Sequence, residues 1–307
     1  MLAEVTSNAA ALPPPALLRS CLHIGDVTLA LQGESLNEVR LHDELLSFSD
    51  DGRLPDIAVQ ARFVDELKSF SGEPRFDSGA LWCAFSRPDG LTFDFVSDLL
   101  GSEPYKRLVV DETFSSGELL LSKKLLAPYA PIFPLEYPTD ELLITNYLAT
   151  RGLGVEVHGC GLIDSAAGGQ LFLGHSGAGK STTTRIWQSL RNPLILSDDR
   201  IILRLESGKL RMYGTPWHGE AAFAEQGNAT LKRIFILQHG AKNRIHLLPK
   251  AQAVGEVFAR SFPPFHSARG LDGALEFISR TLDVVPCYQF QFVPDESAVE
   301  AVLGFDD

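Results

Sequence analysis

The chain has 307 residues, 45% hydrophobic and 21% charged, with a formal net charge of −12 and a mean hydropathy of +0.03. That composition argues against a disordered chain, and no apolar run reaches the roughly 18 residues of a spanning helix, so no membrane association is expected. Residues 1–150 carry 11 Lys and Arg against 23 Asp and Glu, whereas residues 151–307 carry 16 of each. The acidity therefore lies in the first half and speaks against nucleic acid as a partner.

Residues 1–20 have three prolines and no basic residue ahead of their apolar part, and read as a loose tail. From 21 to 127, short β-like runs (VTLAL, IAVQARFV, ALWCAFS, LTFDFVS, KRLVV and ELLLS) alternate with Gly, Asp, Ser and Pro clusters, the pattern of a β-rich domain. Residues 128–152 read as a proline-rich linker and a helix. LLAPYAPIFPLEYP holds four prolines and cannot continue a helix or a central strand, while TDELLITNYLATRG offers Thr139 as N-cap, acids in the first turn and Arg151-Gly152 as a stop.

From 153 to 307, strand and helix signals mix. VEVHGCGLID and QLFLG read as strands, STTTRIWQSL as a helix, LILSDD as a strand ending in two acids, and IILRLESGKLRMYG as a hairpin turning at Ser207-Gly208. RIFIL and VVPCYQFQFV are further strands, and helices are expected around QAVGEVFARSF, DGALEFISRTL and from Asp295. The expected fold class is α/β or mixed α+β, with a β-rich domain ahead of a nucleotide-binding one. Cys21, Cys83, Cys160 and Cys287 lie far apart with no CxxC pair, which fits thiols in a reducing cytoplasm.

The most specific local signal is Gly174-His175-Ser176-Gly177-Ala178-Gly179-Lys180-Ser181, followed by Thr182. It fits the GxxxxGKS phosphate loop and has the required strand before it and helix after it. Its glycines let backbone N–H groups turn inward onto phosphate oxygens, and the helix adds its positive end. Lys180 then reaches the β and γ phosphates, and the Ser181 hydroxyl ligates Mg²⁺. His175 and Ser176 occupy variable positions of the motif. No LSGGQ-like or NKxD-like signature is present, which favours ATP over a transporter or GTPase role.

Eighteen residues after Lys180 comes the pair Asp198-Asp199 at the end of an apolar strand. Mg²⁺ is usually held by one or two carboxylates with phosphates and water, while a second carboxylate can take the proton of an attacking hydroxyl. Successive strand side chains face opposite ways, so both acids serve one site only if the strand ends or bends there. Upstream, His158 sits in VEVHGCGLID among apolar neighbours, where a packed histidine is the plainer expectation.

HGCGLID, then GHSGAGKS, then LSDD after one helix resembles the HPr kinase/phosphorylase family, and the wider class that includes ATP-dependent phosphoenolpyruvate carboxykinase. The resemblance covers about residues 154–205 and extends more loosely to kinases that phosphorylate a serine of a precursor peptide. It implies a P-loop catalytic domain in which Lys180 and Ser181 serve phosphate and metal, Asp198 and Asp199 serve metal and base, and His158 assists the acids. Asp198 is paired with Ser181 as metal ligand, though the residues alone leave the choice between the aspartates open.

Beyond the hairpin, Trp217, His218 and Glu220 stand on a Gly/Pro-limited loop and either line the site or, for Trp217, pack a turn. Arg244 and Arg260 are candidates to stabilise the transferring phosphoryl group, with the surface as the plainer expectation for both. SFPPFH, residues 261–266, is expected to pack in the core. The expected activity is transfer of the γ-phosphoryl of ATP to a Ser or Thr hydroxyl of a protein or peptide, with Mg²⁺. The alternatives are a small-molecule or carboxykinase-like enzyme and a nucleotide-gated binding protein, and a homo-oligomer is left open.

Overall fold

In the computed structural model, residues 17–79 and 81–305 are described. The expected tail thus lies outside them up to residue 16, and Leu18–Ser20 belong to the first strand instead, where Leu18 pairs with Gly33. The chain is a mixed α+β protein with two large mixed sheets.

The first sheet holds β1 (Leu18–Ile24), β2 (Val27–Gly33), β3 (Ile57–Val64), β4 (Phe76–Asp77), β5 (Trp82–Arg87), β6 (Gly90–Ser97), β7 (Gly101–Asp111) and β8 (Ser116–Ser122), in the order β1-β2-β3-β8-β7-β6-β5-β4. β3 is parallel to both its neighbours, and the other pairs are antiparallel. Alternation in β3 sends Ile57, Val59 and Ala61 inward, which fixes its register. Two short helices, α1 (Leu36–Val39) and α2 (Lys123–Leu126), were not signalled by the sequence.

The proline-rich stretch leads into α3 (Thr139–Thr150). The expected cap, Thr139, is its first helical residue. Pro138 precedes it, having no N–H to satisfy, and its carbonyl accepts from Leu142 N at 2.9 Å.

The second sheet holds β9 (Gly154–Asp164), β10 (Gly168–Leu173), β11 (Leu194–Ser197), β12 (Arg200–Glu206), β13 (Lys209–Gly214), β14 (Asn228–Thr230), β15 (Ile234–His239), β16 (Arg244–Leu247) and β17 (Cys287–Phe292). Their order is β14-β13-β12-β9-β10-β15-β17-β16, with β11 also on β9. The β12–β13 hairpin turns at Ser207 and Gly208, whose φ angles of 50° and 74° are those of a primed turn. Helices α4 (Lys180–Arg191) and α7 (Ser297–Leu303) cover one face through Trp187, Val299 and Val302. Helices α5 (Lys250–Phe258) and α6 (Ala268–Thr281) cover the other through Val257, Phe277 and Ile278. The core of the first sheet runs on into Ile202, Tyr213 and Trp217, so the two halves share apolar interior. Among the described residues no helix is long and apolar enough to cross a membrane.

Candidate active site

β9 organises the site because three strands meet along it. Its first half pairs with β12, where His158 faces Arg200, and its second half pairs with β10 and β11, where Gly159 faces Leu173 and Gly161 faces Ser197. Asp198 and Asp199 fall between β11 and β12, so the chain leaves the ladder of β9 there and the alternation of faces is broken. Ser197 holds the break: its Oγ accepts from the amides of Asp199 at 3.2 Å and Arg200 at 3.1 Å. Gly159 suits the same junction, since a Cβ there would sit 2.6 Å from Leu173 Cδ2 and 3.0 Å from Phe172 O.

The phosphate loop follows β10 and ends in α4. Gly177 and Gly179 lie in the left-handed region at φ +78° and +99°, and a Cβ at Gly179 would meet Phe292 Cζ at 2.4 Å. His239 stacks on Phe292, ring centroids 5.2 Å apart, and its Nε2 lies 3.1 Å from Gly177 O. Lys180 is buried, and its ammonium donates to Gly174 O at 2.9 Å and His175 O at 3.3 Å. Burial lowers its pKa, opposed by the negative charges of Asp199 and Asp198.

The two aspartates have different surroundings. Asp198 is buried and accepts from the amides of Gly219 at 3.1 Å, Ala221 at 3.0 Å and Phe223 at 3.3 Å. Asp199 is half-buried; its Oδ1 lies 2.9 Å from His158 Nε2 and its Oδ2 lies 3.3 Å from Arg200 Nε. Burial alone would raise the Asp199 pKa, but the hydrogen bond and charge of His158, with Arg200 and Lys180, hold it below the usual carboxylate range. A carboxylate in that setting is ionised at neutral pH.

Arg200 itself is clamped. It pairs with Glu141 of α3 and with Glu156 of β9 at 3.6 Å, and its guanidinium lies 4.0 Å from the Phe262 ring centroid. Burial raises the pKa of both glutamates, and that of Glu156 well above the ordinary value, the nearby Glu141 charge adding to it.

The glycine loop and the two aspartates border a cleft of about 470 Å³, which Arg200 and its two glutamates do not line. From the loop and helix it is lined by Ser176, Gly177, Gly179, Lys180, Ser181 and Thr182; His158, Asp198 and Asp199 line it too. Gly174, His175 and Ala178 are not among the lining residues: Gly174 is buried, His175 is exposed, and Ala178 packs beneath the loop. The positive charge of Arg260, then burial, lowers the His175 pKa.

The loop after β13 divides its residues. Glu220 lines the cleft beside Gly219. Trp217 does not: it is buried, and its Nε1 donates to Asp140 Oδ2 at 2.8 Å, so the packed reading holds. His218 is half-buried, its Nδ1 2.9 Å from Gly219 O. Arg244 is exposed on β16, as expected, but Arg260 is not a surface residue. Glu256 at 2.5 Å holds its guanidinium in a largely buried position, and its carbonyl accepts from His158 N at 2.7 Å. Within SFPPFH, Pro263, Pro264 and His266 are buried while Phe265 is 61% exposed.

Arg200 and His239 were missed by sequence reasoning. A charged residue opening the apolar run of β12, directly after two acids, was the available signal for Arg200; none marked His239.

Among the described residues no three His, Cys, Asp or Glu side chains are grouped to hold a metal ion. Ser181 and Asp198 line the same cleft and offer oxygen donors of the kind Mg²⁺ takes, an ion that usually completes its coordination with phosphates and water. The left-handed glycines and the amino end of α4 fit the phosphates themselves. Compared with known proteins, the chain matches no protein-family model and no curated protein.

Proposed function

We propose that the chain is an ATP-dependent kinase with an HPr-kinase-like P-loop domain, which transfers the γ-phosphoryl group to a Ser or Thr hydroxyl of a protein or peptide. The observation that carries this reading is Asp199, ionised and oriented by His158 Nε2 at 2.9 Å, in one cleft with Lys180 and the start of α4. The order of HGCGLID, GHSGAGKS and LSDD along the chain supports it. A cytoplasmic setting fits both ATP and four free cysteines.

ATP with Mg²⁺ supplies the phosphoryl group and screens its charge; Ser181 and Asp198 are the residues to hold the metal. Lys180, which here donates to two loop carbonyls, is the ammonium within reach of the β and γ phosphates. The acceptor hydroxyl gives its proton to Asp199 as its oxygen bonds to phosphorus and the bond to the leaving diphosphate breaks. A carboxylate with a lowered pKa is a weak base, which suffices because phosphoryl transfer has a loose transition state and depends on positioning and charge stabilisation. His158 and Arg200 are positioning residues: each fixes one oxygen of Asp199.

The test is incubation with γ-labelled ATP, Mg²⁺ and serine-bearing peptides or proteins. Label is expected on an acceptor serine or threonine, and absent with Lys180→Ala. ATP binding without any covalent transfer would instead favour a nucleotide-gated binding protein.

A further inference from the structure

β10, β15 and β17 run parallel and side by side, with their carboxyl ends at the phosphate loop. Ligands of open α/β sheets collect at such ends. β10 runs directly into the loop, while β15 and β17 end in His239 and Phe292, which face each other across the ladder. The amide of Gly240 donates to Phe292 O at 3.0 Å and fixes the point where the chain leaves β15. The His239 ring lies on the Phe292 ring, which in turn abuts Gly179. His239 is exposed and lines the phosphate cleft, yet it stands outside the proton transfer at Asp199.

What His239 bonds to is a loop carbonyl. Its Nε2 lies 3.1 Å from Gly177 O, and because a carbonyl oxygen only accepts, Nε2 carries the proton and donates. A peptide unit is planar and trans, so this bond also sets the N–H at the unit's other end, that of Ala178, which donates to His175 O at 3.0 Å. The peptide unit joining Gly177 to Ala178 is thereby held at both ends. Packing does not hold it, since Gly177 has φ +78° and open space where a Cβ would stand. The amides of Gly177 and Gly179, on either side of that unit, have no partner among the described residues and are donors left for phosphate oxygens. Among the described residues, Lys180 is the other side chain bonded to loop carbonyls, those of Gly174 and His175.

An ammonium has three N–H groups, and Lys180 spends two of them on loop carbonyls. Reaching both the β and the γ phosphate therefore costs it at least one of those bonds. The bond from His239 is untouched by that exchange. Resting on the kinase reading, we propose that His239 is a positioning residue for the nucleotide: its Nε2–H latches the Gly177 carbonyl and keeps the loop in its phosphate-receiving turn while Lys180 turns to the phosphates. The latch acts on the loop and not on the nucleoside, so it serves any triphosphate, whatever its base.

Calorimetric titration of the full chain with Mg²⁺ and either ATP or inorganic tripolyphosphate tests this in wild type, His239→Phe and His239→Gln. The first variant keeps a ring on Phe292 without a donor, and the second keeps a donor without the ring. His239→Phe is expected to bind both ligands about fivefold more weakly, the effect of one hydrogen bond, and His239→Gln to recover to within about twofold of wild type. Without ligand, the Ala178 amide is expected to exchange its hydrogen faster in His239→Phe than in the other two proteins. A loss confined to ATP would set His239 against the base instead of the loop and overturns the proposal. Equal affinities of wild type and His239→Phe overturn it too, as does binding by His239→Gln as weak as that by His239→Phe. Failure of the wild type to bind either ligand sinks the kinase reading, and exchange at Ala178 then decides the latch by itself, equal rates in the three proteins overturning it.

Discussion

Asp198 gives its carboxylate oxygens to the amides of Gly219, Ala221 and Phe223, while the oxygens of Asp199 face His158 and Arg200. The sequence LSDD could not separate the two roles, because their partners come from a loop about twenty residues on and a strand forty back. Three of the roughly four lone-pair sites on Asp198 are committed to backbone N–H groups, so it anchors the loop that carries Glu220 into the cleft. Asp198→Asn replaces one oxygen with an amide that faces those donors. The expected cost is about 1–3 kcal/mol, with faster hydrogen exchange at the amides of Gly219, Ala221 and Phe223. Unchanged exchange there would contradict the anchoring role. Trp217 is a similar case: its aromatic, loop-borne position left a site wall and a packed turn equally open, and its indole N–H is spent on Asp140, 77 residues away in sequence.

Elements governed by local rules were legible in advance. Alternating apolar residues, a Ser-Gly turn and a glycine loop between strand and helix announce β3, the β12–β13 hairpin and the start of α4, because each is decided within a few residues. The dual pairing of β9 was not legible: only long-range register opposes His158 to Arg200 and Gly161 to Ser197. Within the phosphate loop two glycines have distinct reasons. Gly177 has a positive φ but open space where a Cβ would go, whereas at Gly179 the Cβ would also collide with Phe292. Gly177→Ala is therefore expected to cost only the left-handed conformation, about 1–2 kcal/mol, and Gly179→Ala to displace the Phe292 ring as well. Calorimetric titration with ATP should show at least about tenfold weaker binding for Gly179→Ala than for Gly177→Ala, the equivalent of about 1.4 kcal/mol. Equal affinities in the two variants would contradict the packing argument.

At the scale of the molecule, the halves are held together by apolar contact. Ile202, Tyr213 and Trp217 join the core of the first sheet, and His266, from the loop between α5 and α6, lies against Phe93 and Trp82 with ring centroids 5.2 and 5.8 Å away. Burial, with the charge of Arg75, pushes the His266 pKa from 6.5 down to about 4. The unfolded chain therefore binds a proton that the folded chain refuses, and the stability present above pH 6.5 is lost as pH falls towards 4. Urea unfolding should show that the wild type loses about 2 kcal/mol more than His266→Phe between neutral pH and about pH 4.5. Equal losses would mean that His266 is not the acid-labile contact between the halves. The composition pointed to a β-rich first half and an α/β second half, but not to their shared core, since a residue pattern shows which face is apolar and not what covers it.

The central claim is that Asp199, set by His158 and Arg200 beside the phosphate loop, accepts the proton of a hydroxyl that takes the γ-phosphoryl group. Comparing wild type with Asp199→Asn, for label transfer from γ-labelled ATP to a serine acceptor at saturating ATP, tests it most directly. The predicted result is a fall in kcat of about 10²–10⁴ with ATP affinity changed by less than about threefold. Transfer by Asp199→Asn at the wild-type rate, or no transfer by the wild type to any hydroxyl, would contradict the account.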